Sequence, residues 1–274
     1  MNTEALPNLL TFAQELAYQA GKITLAYFNT GLTPDIKADQ TPVTVADRQS
    51  EQHMRKMIES RFPDHAILGE EYGETNAGAS HRWILDPIDG TKSFVQGVPL
   101  YGVLVGLECE GKPVLGVCYL PALDDMVAAA NGMGCTLNGR RVRVNDVDQL
   151  PNAVLLCSDA ESFAEYGRDA AFDHLRRQVK FTRTWGDCYG HMLVATGRAE
   201  IMLDPILSVW DCAAILPIIT EAGGSFTDWN GEATIWGASG ISTNAALRDQ
   251  VLEVVGAREA GREARGAGRR MRDA

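Results

Sequence analysis

No two of the six cysteines (Cys109, Cys118, Cys135, Cys157, Cys188 and Cys212) form a Cys-x-x-Cys pair. Scattered singly through apolar stretches, they offer no zinc spacing and read as reduced core thiols. Disulfides are disfavoured because nothing signals secretion: Met1 to Leu16 mixes acids and amides with apolar residues, unlike a leader peptide. No run approaches the roughly 18–20 apolar residues of a membrane span. A soluble cytoplasmic protein is therefore expected. Basic residues are scarce, 25 Lys and Arg against 36 Asp and Glu, for a formal charge of −11. That balance argues against nucleic acid or an anionic membrane as main partner. It leaves an anionic substrate open, because bound metal ions reverse the local sign. The Gly-x-x-x-x-Gly-Lys-[Ser/Thr] phosphate loop and the Gly-x-Gly-x-x-Gly dinucleotide fingerprint are both missing. The five histidines, His53, His65, His81, His174 and His191, show no metal spacing and read as surface or core residues.

What is present is enough chain, 274 residues, for one large or two small domains with a real core. Residues 5–30 carry apolar positions at helical spacing, and Thr44 to Arg61 reads as a second helix with Asp47 in its first turn. A loop through Lys37, Asp39 and Pro42 joins them. His65 to Leu68 reads as a short strand delivering Glu70 and Glu71, and residues 74–81 as a small polar loop, expected to be mobile. Tyr101 to Glu108 and Pro113 to Leu120 predict antiparallel strands turned at Glu110-Gly111-Lys112. Asp125–Ala130 and the segment from Cys135 extend that sheet, with a hairpin at Gly139. A second half starts near Pro151, with strands at Ala153–Cys157, Lys180–Thr184 and Ala199–Leu203. Its predicted helices are Asp169–Val179, Tyr189–Gly197 and Asp211–Ala222. A hairpin-like stretch around Phe226-Thr227-Asp228 and a helix over Ala245–Val255 follow. The expected organisation is residues 1–150, residues 151–257 and a tail over 258–274. There is no internal repeat. The tail holds six arginines and three acids with almost no apolar residues. It reads as disordered, or as a basic docking tail.

The chemistry-bearing segment is Asp86-Pro87-Ile88-Asp89-Gly90-Thr91. Trp83-Ile84-Leu85 before it reads as a buried strand end, Pro87 stops regular pairing, and Gly90 permits a tight turn. Thr91 then opens a short helix closed by Gly97. Two acids beside free backbone N–H groups suit a hard cation and an anion together. Asp86 and Asp89 alone fit a structural turn as well as a metal site, and Asp211 alone fits a helix cap. An aspartyl nucleophile is disfavoured, because the spacing is Asp-x-x-Asp-Gly-Thr and not Asp-x-Asp-x-Thr.

Four separated segments together resemble the inositol monophosphatase-like family of metal-dependent phosphatases. They are Thr44-Val45-Ala46-Asp47, Gly69-Glu70-Glu71, Trp83 to Thr91, and Trp210-Asp211-Cys212-Ala213-Ala214 followed by Glu221-Ala222-Gly223-Gly224. The resemblance spans about residues 5–255 and leaves the tail outside. It implies an alternating αβαβα sandwich of the α/β class. It implies metal ligation by Glu70, Asp86, the Ile88 carbonyl, Asp89 and Asp211, with two or three Mg²⁺ ions. It implies that Thr91 and Asp47 prepare an attacking water, with Glu70 sharing in the catalysis. Backbone N–H groups at Gly90-Thr91 would hold phosphate oxygens, the substrate would be a small phosphate ester, and the assembly a homodimer.

The alcohol is expected to be chosen by the second half. Inositol-specific members usually carry a Gly-Ser-Ala-like segment where Gly186-Asp187-Cys188 stands, and this version is more similar to the histidinol-phosphate phosphatases of the family. Asp204 falls seven residues before Asp211, where the family places an acidic substrate contact. Asp187, Asp204 and Arg183 are thus candidate substrate contacts, with Trp185 a weaker one. Asp187 alone also fits a cap on the helix starting at Tyr189. Histidinol phosphate, with its ammonium and imidazole groups, is the expected substrate. Inositol-1-phosphate or a broad range of sugar phosphates is the alternative. A 3′-phosphoadenosine nucleotide is less favoured, for want of an evident adenine or second-phosphate site. A non-catalytic metal-buffering or interaction protein using the Arg-rich tail is the reading from another class.

Overall fold

Trp83, Ile84 and Leu85 are all fully buried, yet they belong to two different cores. Trp83 and Leu85 pack on one side of their strand and Ile84 on the other. A strand with apolar residues at both parities needs cover on both faces, and that requirement organises the molecule. The protein is described by a computed structural model over residues 5–37 and 42–256. The Arg-rich tail, and Asp39 in the first loop, lie outside the described residues.

In the first half, α1 (Ala5–Tyr27) leads to β1 (Asp35–Ile36), β2 (Pro42–Val43), α2 (Val45–Arg61), β3 (Ala66–Gly69), β4 (Gly73–Thr75), β5 (His81–Asp89) and α3 (Thr91–Val95). Then come β6 (Gly102–Cys109), β7 (Lys112–Leu120), β8 (Asp125–Ala130), β9 (Gly134–Leu137) and β10 (Arg140–Val142). In the second half, β11 (Val154–Cys157), α4 (Ser162–Glu165), α5 (Asp169–Arg176), β12 (Phe181–Arg183) and α6 (Asp187–Ala195) precede β13 (Ile201–Asp204), α7 (Val209–Glu221), β14 (Ser225–Thr227) and β15 (Gly240–Thr243). Residues 248–256 form a last helix.

Eight strands make one sheet in the order β10-β9-β8-β7-β6-β5-β3-β4, antiparallel except where β3 runs parallel to β5. Five make the other, β12-β11-β13-β15-β14, with β11 parallel to both β12 and β13. Helices α1 and α2 cover the outer face of the large sheet, burying Phe12, Leu16 and Met54 against Trp83 and Val105. Helices α6 and α7 fill the space between the sheets. Phe163, Phe172 and Leu175 of α4 and α5, with Val251 from residues 248–256, cover the far face of the small sheet. The result is an αβαβα stack of the α/β class. Gly106 and Gly116 face each other on β6 and β7, and a Cβ on Gly106 would sit 2.7 Å from Ala213 Cβ. Small residues there let α7 lie close on the first sheet, which carries Asp211 to the ends of its strands. No helix among the described residues is long and apolar enough to cross a membrane.

Several local expectations are revised. Residues 73–75 pair as an edge strand although all three are exposed, because backbone pairing to β3 needs no apolar pattern. The loop before α2 contains the two-residue pair β1–β2, too short to leave a periodic signal. Helix α4 was not expected. Helix α6 starts at Asp187, and α5 stops at Arg176, sooner than its pattern suggested. The Gly139 hairpin forms, joining β9 to β10.

Candidate active site

The turn after Leu85 is built by its own side chains. Asp86 Oδ1 accepts a hydrogen bond from the Ile88 N–H at 2.9 Å, folding the chain over Pro87. The register with β6 shifts between Asp86, paired with Leu104, and Asp89, paired with Gly102, so the chain bulges at Pro87 and Ile88 between the two acids. Gly90 has a φ of 83°, a left-handed conformation open to glycine at no steric cost. Thr91 Oγ1 donates to the Ile88 carbonyl at 2.9 Å as α3 begins. Beneath, Ala46, Ile88, Phe94 and Tyr101 form a small buried cluster that fixes the turn on its apolar side.

Asp211 arrives from α7 as the third residue of that helix and accepts the Ser208 N–H at 2.7 Å. Capping uses one face of the carboxylate and leaves acceptor capacity on the other, so the cap and metal readings coexist. Asp86, Asp89 and Asp211 offer oxygens that all lie within 4.8 Å of one another, a set that can hold a metal ion. Hard oxygen donors gathered this tightly fit a divalent cation of the Mg²⁺ type and not a soft metal. Asp89 also accepts the Cys188 N–H at the start of α6, tying the second half to the turn.

Burial raises the proton affinity of all three, and their mutual repulsion adds to it. Asp89 and Asp211 are each lifted to about 7, and Asp86 well above the usual carboxylate range. Asp89 and Asp211 therefore hold their protons to about pH 7 when folded and release them near pH 4 when unfolded. The unfolded chain binds fewer protons across this window, so metal-free stability falls as pH rises from about 4 to about 7. Thermal melts in chelator should give a higher Tm near pH 5 than near pH 8. Mg²⁺ should restore more stability at pH 8 than at pH 5. A Mg²⁺ increment that does not change with pH would disprove the carboxylate origin.

Glu70 lines the same 240 Å³ cavity as Asp86, Ile88, Gly90, Thr91 and Asp211. Its carboxylate meets Lys37, whose Nζ stands 2.7 Å from Glu70 and 2.6 Å from Glu71. Lys37 was not anticipated; a lysine in a polar loop carries no sequence signal until the fold brings it to the acids. Asp47 is buried one residue after Ala46 and is raised to about 6, first by burial. Its carboxylate accepts the Thr44 N–H at 2.8 Å and the Thr44 hydroxyl at 2.6 Å. No direct hydrogen bond joins Asp47 to Thr91 among the described residues, because Thr44 engages the one and Ile88 the other.

A second cavity of about 200 Å³ opens beyond Asp89 and Asp211, lined also by Lys92, Ser158, Asp159, Asp187, His191 and Asp204. Asp187 has a φ of 52°, its N–H donates to Ser158 Oγ at 2.7 Å, and its carboxyl is pushed up to about 8 by burial and then by Asp89. A non-glycine residue in this conformation costs energy that the surroundings must offset. Asp204 is buried at the end of β13. Arg183 is not drawn into either cavity: it is exposed on β12, with its guanidinium over Phe181 and donating to the Thr182 carbonyl. Trp185 is 42% exposed and lines neither. Lys92, Ser158 and His191 were missed; of these only Lys92, next to the motif, stands at a position that flags it.

Comparison with known proteins follows this geometry. The family described as the inositol monophosphatase family matches residues 5–260. A protein named histidinol-phosphatase from Chlorobaculum parvum is 44% identical over 249 residues, covering 90% of this chain and 96% of its own. A histidinol-phosphatase from Mycobacterium tuberculosis is 39% identical over 249 residues, covering 89% and 96%. An inositol monophosphatase structure from Zymomonas mobilis superposes with a TM-score of 0.83 at 31% identity, covering 92% of this chain and 98% of that one.

Proposed function

The chain belongs to the inositol monophosphatase family and is a phosphoric monoester hydrolase, and on that premise we propose that it hydrolyses L-histidinol phosphate to L-histidinol and phosphate with Mg²⁺. The observation that carries the choice of substrate is the second cavity. Asp204 lines that cavity and Asp187 lines both, its carboxylate standing against Gly90, so the two border the space where the alcohol of an ester would lie if its phosphate sits at Gly90-Thr91. A carboxylate there favours an alcohol bearing an ammonium group over a neutral polyol, by roughly 1.5–3 kcal/mol for one charge-assisted contact, and such a cation would draw Asp187, held protonated to about pH 8 in its absence, toward its ionised form. The two relatives named histidinol-phosphatase support the same reading.

In this reading Asp86, the Ile88 carbonyl, Asp89, Asp211 and Glu70 would hold two or three Mg²⁺ ions. The bound metal supplies Lewis acidity and a water of lowered pKa. Thr91 Oγ1 spends its hydrogen on the Ile88 carbonyl, so its lone pairs would accept a hydrogen from an attacking water and aim it at phosphorus. Asp47 provides a further acceptor beside the turn. The N–H groups of Gly90 and Thr91 hold phosphate oxygens. The carboxylates and backbone would act by positioning and charge: the water oxygen bonds to phosphorus in line as the bond to the alcohol oxygen breaks, and the proton lost by the water ends on that alcohol, with no phosphorylated side chain. Lys37 engages Oε1 of Glu70, so the other carboxylate oxygen would be the one to hold a metal. The family resemblance is what supports a homodimer and the biosynthetic role what supports a cytoplasmic location; sedimentation of the purified chain would check the first.

The test is phosphate release from histidinol phosphate and inositol-1-phosphate with Mg²⁺ supplied. We expect kcat/KM to favour histidinol phosphate. Asp204→Asn should lower that value about 10–100-fold, and lower the value for inositol-1-phosphate much less. A ratio near one, or one favouring inositol-1-phosphate, would sink the choice of substrate.

A further inference from the structure

Asp204 is not free to choose its orientation. His191, on α6 and fully buried, places Nε2 3.1 Å from Asp204 Oδ2 and Nδ1 2.7 Å from Ser242 Oγ. Ser242 lies on β15 and Asp204 on β13, neighbouring antiparallel strands, so one sheet holds both ends of the chain of contacts. The Asp204 backbone carbonyl accepts the Trp229 indole N–H at 2.9 Å, and the Ser158 N–H donates to Oδ1 at 3.4 Å. An ionised carboxylate only accepts hydrogen bonds, so the proton between His191 and Asp204 belongs on Nε2. In the neutral ring Nδ1 is then an acceptor, and the Ser242 hydroxyl donates to it. Ser242 is fully buried and out of reach of any substrate, so the chain Ser242–His191–Asp204 is no nucleophilic device. It ends in a carboxylate and an imidazole that both line the second cavity. A histidine serving the core alone would have no need of a partner that faces a ligand site.

We propose that His191 is a positioning residue for substrate choice: it locks Asp204 as an oriented carboxylate that receives the cationic end of the alcohol, with Ser242 fixing the ring tautomer. The inference rests on the proposed histidinol-phosphate reading. It predicts an effect on which ester is preferred, and through KM more than kcat, because the His191 ring bonds to Asp204 and Ser242 and to none of Asp86, Asp89 and Asp211.

The experiment measures kcat and KM of His191→Gln, His191→Met, Ser242→Ala and Asp204→Asn on histidinol phosphate and on inositol-1-phosphate, with a thermal melt of each. His191→Met removes the donor and should cut the preference for histidinol phosphate about tenfold, mainly by raising KM. His191→Gln keeps an N–H donor for Asp204 and should stay within about threefold of the wild-type preference. Ser242→Ala, which leaves the ring in place, should fall between them and covers the case in which His191→Met does not fold. Equal losses on both esters in the folded variants would make His191 a purely structural residue. A preference abolished by Asp204→Asn but kept in His191→Met and Ser242→Ala would overturn the role of His191 alone. A wild-type enzyme with no preference for histidinol phosphate would overturn the functional reading and, with it, this one.

Discussion

Replacing Asp86 by asparagine should reduce phosphate release by more than about 100-fold while the protein stays folded. Residues that merely orient metal ligands typically cost about 10–100-fold when changed, and Asp86 is placed to ligate directly. It is buried, 2% exposed, within the cluster formed with Asp89 and Asp211. Asparagine keeps the shape and the Oδ1 that accepts the Ile88 N–H, so the turn over Pro87 survives. It also removes one charge from a group of acids whose burial and repulsion resist ionisation. The metal-free variant should therefore melt at or above the wild-type Tm near pH 8. Activity assays with saturating Mg²⁺ and melts in chelator check the two halves of this expectation. Substantial Mg²⁺-dependent turnover in Asp86→Asn would reject the metal assignment, and a large fall in Tm would reject the electrostatic argument.

Glu51→Ala should cost about 3–5 kcal/mol, the usual penalty for stripping one partner from a buried ion pair, or roughly 6–20 °C in Tm for a chain of this size. Glu51 is fully buried on α2, one turn after Asp47. Its Oε1 accepts Arg55 Nε at 2.7 Å, and its Oε2 accepts the Glu71 N–H at 2.7 Å. The Tyr72 N–H also reaches it, at 3.3 Å, and Arg55 continues to the Gly73 carbonyl. A Cβ on Gly69 would overlap the Glu51 carboxylate, so the missing side chain is what lets the acid reach the turn. One buried carboxylate thus pins the backbone that presents Glu70. Alanine leaves the Arg55 charge and two N–H groups without that partner. The concentration of Mg²⁺ needed for half-maximal activity should rise as well, because Glu70 loses its fixed position. A Tm within about 2 °C of wild type would show that the network does not hold the turn.

The two residues at the centre of these predictions differ in how far they could be read from sequence. Asp86 stands in a contiguous motif whose turn is made by Pro87, Gly90 and its own side chain, all local effects. Glu51 reads as one more charge on an amphipathic helix; its burial depends on Gly69, 18 positions on, and on the register of β3 with β5. Asp89 and Cys188 are 99 residues apart, and only the packing of α6 between the sheets joins them. His191 read as a scattered histidine because its partners come from two later strands. Lys37 is a similar case. Strand β4, exposed throughout, exists through its neighbour's backbone and has no pattern of its own.

By itself the sequence determined the layered α/β class, the helices with strong apolar periodicity, the acid-rich turn and the family to which its four separated segments point. The helices and the turn rest on short-range physics, side-chain spacing and turn chemistry, while the layered class is what the resemblance of the four segments implies. Tertiary structure alone decided which acids converge, that Lys37 meets Glu70, that Arg183 stays outside both cavities, and that His191 stands behind Asp204. Those outcomes depend on α7 lying close over Gly106 and Gly116 and on α6 pointing its Cys188 N–H at Asp89. Contacts across so many residues follow from how the layers stack, and no local pattern encodes them.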